Sequence, residues 1–180
     1  MRTIATLMLA QLPALCLFGQ TFYDAQTTVN GRPVTDRQRH EFLMAYRTPL
    51  PAGNYWYDSL SGFWGHWGRE AAGVINQGHN FGPLPANASA GRTGVFINGR
   101  EINSVERMFY ERLYNTRIQP ARIWLDGRTG YFGLEGSRQP LGNLALAIQA
   151  KSKQQSAGCH GITSRDAGSR IETSVYFGCD

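Results

Sequence analysis

Histidine and cysteine are common metal ligands and reactive groups in enzymes, and this 180-residue sequence contains few of them. The histidines are His40, His66, His79 and His160. No two of them stand four residues apart, the spacing that places two ligands on one helix face. Cys159 directly precedes His160, but a disulfide to Cys179 competes with any role as a nucleophile. We therefore predict no catalytic residue, no metal site and no cofactor.

Two aspartates, Asp58 and Asp126, follow a Trp-x pattern and each precedes a short turn. A carboxylate pair could carry out acid–base chemistry, but an aspartate that opens a turn accepts hydrogen bonds from backbone amides two residues on. We expect this structural role. The sequence has no P-loop and no Gly-x-Ser-x-Gly elbow. An enzyme that combines His66 or His79 with a nearby carboxylate remains the alternative.

Aromatic side chains are concentrated between Tyr55 and Trp67, where 13 residues hold six rings. Exposed rings commonly mark binding surfaces, although rings also fill small cores. A stretch rich in Gly, Asn, Ala and Pro follows at residues 69–96. Such a long connection is either a functional loop or a segment that covers the junction between two parts of the fold. We predict a binding site on this hairpin and loop. Its residues are Tyr57, His66, Trp67, His79, Asn80 and Phe81.

The predicted binding residues lie in and after the first copy of an internal repeat. The sequence Asn-Gly-Arg occurs at 30–32 and again at 98–100. Residues 29–68 align without a gap on residues 97–136, with 11 of 40 positions identical at an offset of 68. Each segment contains an Asn-Gly turn, a helix with an N-terminal capping pattern and an aromatic hairpin. The predicted fold class is therefore α+β, with two tandem turn–helix–β-hairpin repeats.

The ends of the chain have a different character. Residues 1–19 have Arg2 and then a mostly apolar stretch, a pattern typical of a secretory signal peptide. After it we predict a duplicated domain at 20–142 with a long loop at 69–96, a linker at 143–158 and a tail at 159–180. In an exported chain, Cys159 and Cys179 would close this tail as a disulfide-clasped β-hairpin.

The predicted function is non-catalytic binding of a surface ligand or protein partner, outside the cell, in the periplasm or at the cell surface. The net charge of +5 comes mainly from scattered arginines, so no nucleic-acid patch is predicted. We predict no transmembrane segment after removal of the signal. A structural subunit of a surface assembly, formed by self-association, is the alternative among non-catalytic functions.

The pattern Tyr-Trp-Tyr-Asp-x-x-Ser-Gly-x-Trp-Gly, followed by Thr-Gly-Val-Phe-Ile-Asn-Gly-Arg-Glu, resembles a group of secreted bacterial proteins without an assigned function. The resemblance covers Val29 to about Leu144 and implies no activity. The aromatic hairpins are also similar to cell-wall repeats that hold choline or glycan, and the order of elements is similar to small peptide-binding domains of the Gly-Tyr-Phe type.

Overall fold

The computed structural model describes residues 27–154 and, as backbone strands, residues 164–166 and 171–173. Within these ranges the chain is an α+β protein with three helices, two five-stranded sheets and a two-stranded sheet. The predicted signal peptide and the predicted Cys159–Cys179 disulfide lie outside the described residues. None of the helices in these ranges is long and apolar enough to cross a membrane.

Residues 27–75 form what we call the first unit, whose sheet has the strand order β2-β1-β3-β4-β5. Its strands are β1 (Thr28–Val29), β2 (Arg32–Pro33), β3 (Asn54–Tyr57), β4 (Phe63–His66) and β5 (Gly73–Val74). Helix α1 (Asp36–Tyr46) connects β2 to β3 and lets β3 pair in parallel with β1. The remaining neighbours are antiparallel.

Residues 95–143 form the second unit, whose sheet has the order β10-β9-β8-β6-β7. Its elements are β6 (Val95–Ile97), β7 (Arg100–Glu101), α2 (Ser104–Tyr114), β8 (Ala121–Leu125), β9 (Tyr131–Leu134) and β10 (Gly142–Asn143). In the central hairpins, Trp56 pairs with Gly65 and Trp124 pairs with Gly133. Each glycine is required, because a Cβ there would come within 2.8 Å of the tryptophan ring. The two units thus share strand order and central register.

The Asn-Gly turns explain why the same phrase occurs in both units. Asn30 and Asn98 have positive φ angles of 53° and 50°, as predicted. The side chain of Asn30 accepts the N–H of Tyr57 at 2.8 Å and donates to its carbonyl at 2.9 Å. Asn98 makes the same two bonds with Leu125, both at 2.9 Å. Each asparagine therefore fixes the turn to the central strand of its own sheet.

The turn aspartates also serve the fold, which confirms the prediction for them. A carboxylate oxygen of Asp58 accepts the N–H of Leu60 at 2.9 Å, and one of Asp126 accepts the N–H of Arg128 at 2.9 Å. Asp58 in addition accepts a bond from the side-chain amide of Asn98 at 2.6 Å. Because Asn98 belongs to the second unit, this bond joins the two units.

A buried ion pair lies where the two units meet. The Arg100 guanidinium donates to both carboxylate oxygens of Glu106, at 2.7 and 2.8 Å, and also donates to the Ser89 hydroxyl. The same guanidinium lies 3.9 Å from the ring centre of Trp56 in the first unit. All four residues are at most 1% exposed. A bidentate bond with further partners is the geometry that offsets the desolvation of a buried pair.

The two helix starts differ in one respect. At α1, Thr35 and Gln38 form both bonds of the predicted capping box. At α2, the Asn103 side chain accepts the N–H of Glu106 at 3.0 Å, but the Glu106 carboxylate pairs with Arg100. The predicted capping role of the Glu106 side chain is therefore replaced by the buried ion pair.

Beyond the second unit, the structure has a helix where the sequence predicted a linker. Helix α3 spans Leu144–Gln154, and Leu144 and Ile148 join the core that includes α2. The Asn143 side chain accepts the N–H of Leu146 at 3.0 Å, which caps the start of this helix. Within the predicted tail, strands β11 (Ser164–Asp166) and β12 (Ile171–Thr173) pair antiparallel.

Candidate binding site

Three of the six predicted binding residues come together in the first unit. The rings of Tyr57, His79 and Phe81 lie 5.5–5.9 Å apart between centres. Tyr57 and Phe81 are only 2% and 5% exposed, and they pack in the core beneath α1 with Phe42. The long loop therefore places Phe81 in the core. Whether this region binds a ligand stays a prediction.

The other three predicted residues lie elsewhere. His66 is exposed on β4, with its ring 5.0 Å from that of Tyr55. Trp67 is half-buried and packs against the core that joins the two units. Asn80 is exposed, and its carbonyl accepts a bond from the side chain of Gln38 at 2.6 Å. The structure does not bring these three side chains to the Tyr57 cluster.

His79 has the environment of a structural histidine. Its Nε2 lies 2.7 Å from the hydroxyl of Tyr46, and its ring is surrounded by aromatic rings. Burial lowers the pKa of His79, and the carboxylate of Glu41 acts weakly in the opposite direction. Burial also raises the pKa of Tyr57. Across the described ranges, no group of three or more His, Cys, Asp or Glu residues could hold a metal ion.

Each unit has an apolar cavity between its helix and its sheet. The cavity of the first unit has a volume of about 220 Å³, and that of the second about 470 Å³. Eight residues line the first cavity at positions whose counterparts 68 residues later line the second. These pairs are Val29/Ile97, Phe42/Tyr110, Thr48/Thr116, Leu50/Ile118, Pro51/Gln119, Tyr55/Ile123, Tyr57/Leu125 and Trp64/Phe132.

The second cavity is larger because smaller side chains line it. Ile123 and Leu125 stand at the positions of two tyrosines of the first unit, and Phe132 stands at that of Trp64. Ile75 and Phe81 of the long loop also line the first cavity. A volume of 470 Å³ is within the range typical of small-ligand sites.

The second cavity opens to solvent on one side. Four of its lining residues are exposed: Thr116, Gln119, Leu134 and Leu141. Leu134 and Leu141 are 45% and 63% exposed, so apolar surface continues from the cavity to the outside. None of the lining residues is charged. The cavity is therefore suited to an apolar group that enters from solvent.

Two tyrosines of α2 that line this cavity, Tyr110 and Tyr114, have buried hydroxyl groups without a hydrogen-bond partner among the described residues. Burial raises the pKa of Tyr110, and it raises that of Tyr114 to about 12. Both hydroxyls are therefore protonated at neutral pH and can each donate one hydrogen bond. A buried hydroxyl without a partner costs about 1–3 kcal/mol.

The sequence prediction placed the ligand on the first unit and did not include this cavity. The available signal was the set of aligned positions at which large rings in the first unit correspond to aliphatic residues in the second. Tyr55 aligns with Ile123 and Tyr57 aligns with Leu125. Such pairs indicate space that one unit fills and the other leaves open.

Two plant proteins resemble this chain over most of its length. The chain is 42% identical over 145 residues to extra-large guanine nucleotide-binding protein 1 of Arabidopsis thaliana, and this match covers 72% of the chain. It is 29% identical over 126 residues to extra-large guanine nucleotide-binding protein 2 of the same plant, and this match covers 68% of the chain. The chain spans only 16% and 14% of these relatives.

No family model matches the chain. No solved structure matches it either. The predicted resemblance to secreted bacterial proteins stays a prediction, because the relatives found are plant proteins.

Proposed function

We propose that this chain is a non-catalytic binding module, made of two copies of one ancestral unit, that binds an apolar group in the cavity of its second unit. The observation that supports the proposal most directly is the pair of equivalent cavities. The first is narrowed to about 220 Å³ by the chain's own rings, whereas the second keeps about 470 Å³. We infer that the side chains of the two copies diverged so that the first copy stabilises the fold and the second binds the ligand.

The lining of the cavity argues for an apolar ligand and against a phosphate-bearing one. Phosphate groups are bound by cationic side chains and by clustered backbone N–H groups. The second cavity has no charged lining residue, and its buried polar atoms are the hydroxyls of Tyr110 and Tyr114. We therefore propose that the corresponding segments of the plant relatives are accessory binding modules, separate from the site at which those proteins bind guanine nucleotide.

The proposed location of the module outside the cytoplasm depends on residues 1–19 alone. The binding proposal does not need it, because all residues of the second cavity lie between Val95 and Leu144.

An environment-sensitive naphthalene dye, anilinonaphthalene sulfonate, tests the proposed cavity. We expect one dye molecule to bind the folded protein with increased fluorescence. Ile123→Trp places a large ring in the cavity, so it should abolish most of the signal. The matched control is Tyr55→Trp at the equivalent position of the first unit, which should leave dye binding unchanged.

Circular dichroism and thermal unfolding of each variant establish that it is folded. Equal dye binding by folded Ile123→Trp and by the original protein would show that the cavity is not the binding site. A guanine nucleotide titration, followed by calorimetry, should show no heat of binding. Binding of the nucleotide by the folded chain would contradict the proposed separation of the two sites.

A further inference from the structure

In the first unit, a loop segment of the chain partly fills the cavity. The segment Ile75–Phe81 contacts α1, and its two end residues contribute apolar side chains to the cavity. The main chain of the same segment forms hydrogen bonds with the hydroxyl groups of two neighbouring tyrosines. The N–H of Asn76 donates to the Tyr46 hydroxyl at 3.0 Å, and its carbonyl accepts from the Tyr57 hydroxyl at 2.7 Å. A peptide segment of the chain thus lines the first cavity and narrows it to about 220 Å³.

In the second unit, the described chain takes only the first position of this segment. Leu144, the first residue of α3, is equivalent to Ile75, because its N–H donates to the carbonyl of Gly130 as that of Ile75 donates to the carbonyl of Gly62. Leu144 lines the second cavity as Ile75 lines the first, and from there the chain continues as a helix. Tyr114 corresponds to Tyr46, yet its hydroxyl has no partner among the described residues, and neither has that of Tyr110. Tyr110 is 6% exposed and, like Tyr114, it lines the cavity.

We propose that the second cavity binds an apolar peptide segment of a partner protein, which occupies the place that residues 76–81 take in the first unit. This inference rests on the proposed function and specifies its ligand. The partner segment would place aliphatic or aromatic side chains among Ile123, Leu125 and Phe132. Its backbone N–H or C=O groups would bond the hydroxyls of Tyr110 and Tyr114.

The spacing of the two hydroxyls supports a backbone over a lipid chain or another plain hydrocarbon. Tyr110 and Tyr114 are four residues apart on α2, so their side chains lie side by side on one helix face. Each hydroxyl can donate one bond and accept others, as a peptide group requires. A hydrocarbon chain would leave both hydroxyls without a partner. A peptide can satisfy both while its side chains fill the apolar volume.

The probe is a synthetic peptide with the sequence of residues 73–83, Gly-Val-Ile-Asn-Gln-Gly-His-Asn-Phe-Gly-Pro. It is titrated into the full chain with labelled methyl groups and followed by nuclear magnetic resonance. We expect saturable shifts of the Ile123 and Leu125 methyl groups at submillimolar peptide. A matched peptide with alanine at the positions of Ile75 and Phe81 should cause none.

The tyrosine hydroxyls are tested by substitution. Tyr110→Phe and Tyr114→Phe should each weaken binding of the peptide about fivefold, because each removes one hydrogen bond. Both variants should bind the naphthalene dye as before, because its apolar rings need only the cavity. Tyr46→Phe, at the first unit, is the matched control and should not change the affinity for the peptide.

The outcomes separate this inference from the proposed function. Dye binding without any peptide binding would overturn the peptide assignment and leave a small amphiphile as the ligand. Failure of both probes would overturn the proposed function as well. Magnetisation transfer to Leu125 methyl groups from this chain's own residues 1–26 or 155–180 would overturn the assignment to a partner.

Discussion

Replacement of Tyr114 by phenylalanine should make the protein more stable, although it removes a polar group from a helix that packs on the core. The Tyr114 hydroxyl is buried and has no partner among the described residues. Its removal eliminates a desolvation cost and no hydrogen bond within the chain. The equivalent change in the first unit, Tyr46→Phe, should have the opposite effect. Tyr46 accepts the N–H of Asn76 at 3.0 Å and contacts Nε2 of His79 at 2.7 Å.

The magnitudes follow from the number of bonds lost. Tyr114→Phe should increase the free energy of unfolding by about 1 kcal/mol, the low end of the cost of an unsatisfied buried hydroxyl. Tyr46→Phe loses two bonds of about 0.5–1.5 kcal/mol each, so it should lower stability by about 2 kcal/mol. For a domain of this size, 1 kcal/mol corresponds to about 4 °C in Tm.

Urea unfolding at pH 7, followed by tryptophan fluorescence and by circular dichroism, measures both variants under the same conditions. Equal slopes of the unfolding free energy against urea would show that the two proteins unfold in the same way. The reasoning is refuted if Tyr114→Phe is destabilised as much as Tyr46→Phe. That result would mean that the Tyr114 hydroxyl has a partner, such as an ordered water molecule in the cavity.

Three further predictions concern other parts of the molecule. Glu106→Ala leaves a buried guanidinium unpaired and should cost about 3–5 kcal/mol in urea unfolding, whereas Glu41→Ala, in an exposed pair, should change little. Burial lowers the pKa of His79 below 6.5, so the unfolded chain binds a proton at this residue at a higher pH than the folded chain does. The free energy of unfolding should therefore decrease as the pH falls below 6.5. His79→Gln should show a smaller decrease between pH 7 and pH 5. Intact mass with and without reduction should show a Cys159–Cys179 disulfide in exported protein, and two free thiols would contradict it.

Local features of the fold could be predicted well from the sequence because short-range rules determine them. Asn-Gly requires positive φ, and Thr35 with Gln38 specifies a capping box. The helix α3 was missed because Leu144 and Ile148 are its only clear core residues, and the following residues are polar. Its stability comes from packing on α2, which one segment read alone does not show.

The buried face of α2 illustrates what sequence periodicity could not supply. The spacing of Val105, Met108, Phe109 and Leu113 predicts one apolar face, yet Val105 and Met108 are 38% and 46% exposed. Glu106 is fully buried instead, because Arg100 on a neighbouring strand neutralises it. A glutamate is almost never buried unless it is paired. Its partner was not apparent before the fold brought the two residues together.

The candidate site was only partly accessible to sequence reasoning. Rings at Tyr57 and Phe81 indicated a special region, but the same side chains that can bind a ligand can also fill a core. The second cavity has more empty volume because Ile123 and Leu125 are smaller than the tyrosines at the equivalent positions of the first unit. Empty volume depends on how elements pack, so it becomes visible only in three dimensions.

The position of Trp56 beneath Arg100 has a consequence for synthesis of the chain on the ribosome. The first unit, which ends at residue 75, leaves the exit tunnel before Arg100, whose guanidinium lies over the indole ring of Trp56. At elongation rates of about 5–20 residues per second, this delay lasts roughly 1–5 seconds. During that interval the nascent polypeptide displays an uncovered tryptophan on an otherwise finished sheet. That surface is where a chaperone would be most useful, and where neighbouring nascent chains on one polysome would be most prone to associate.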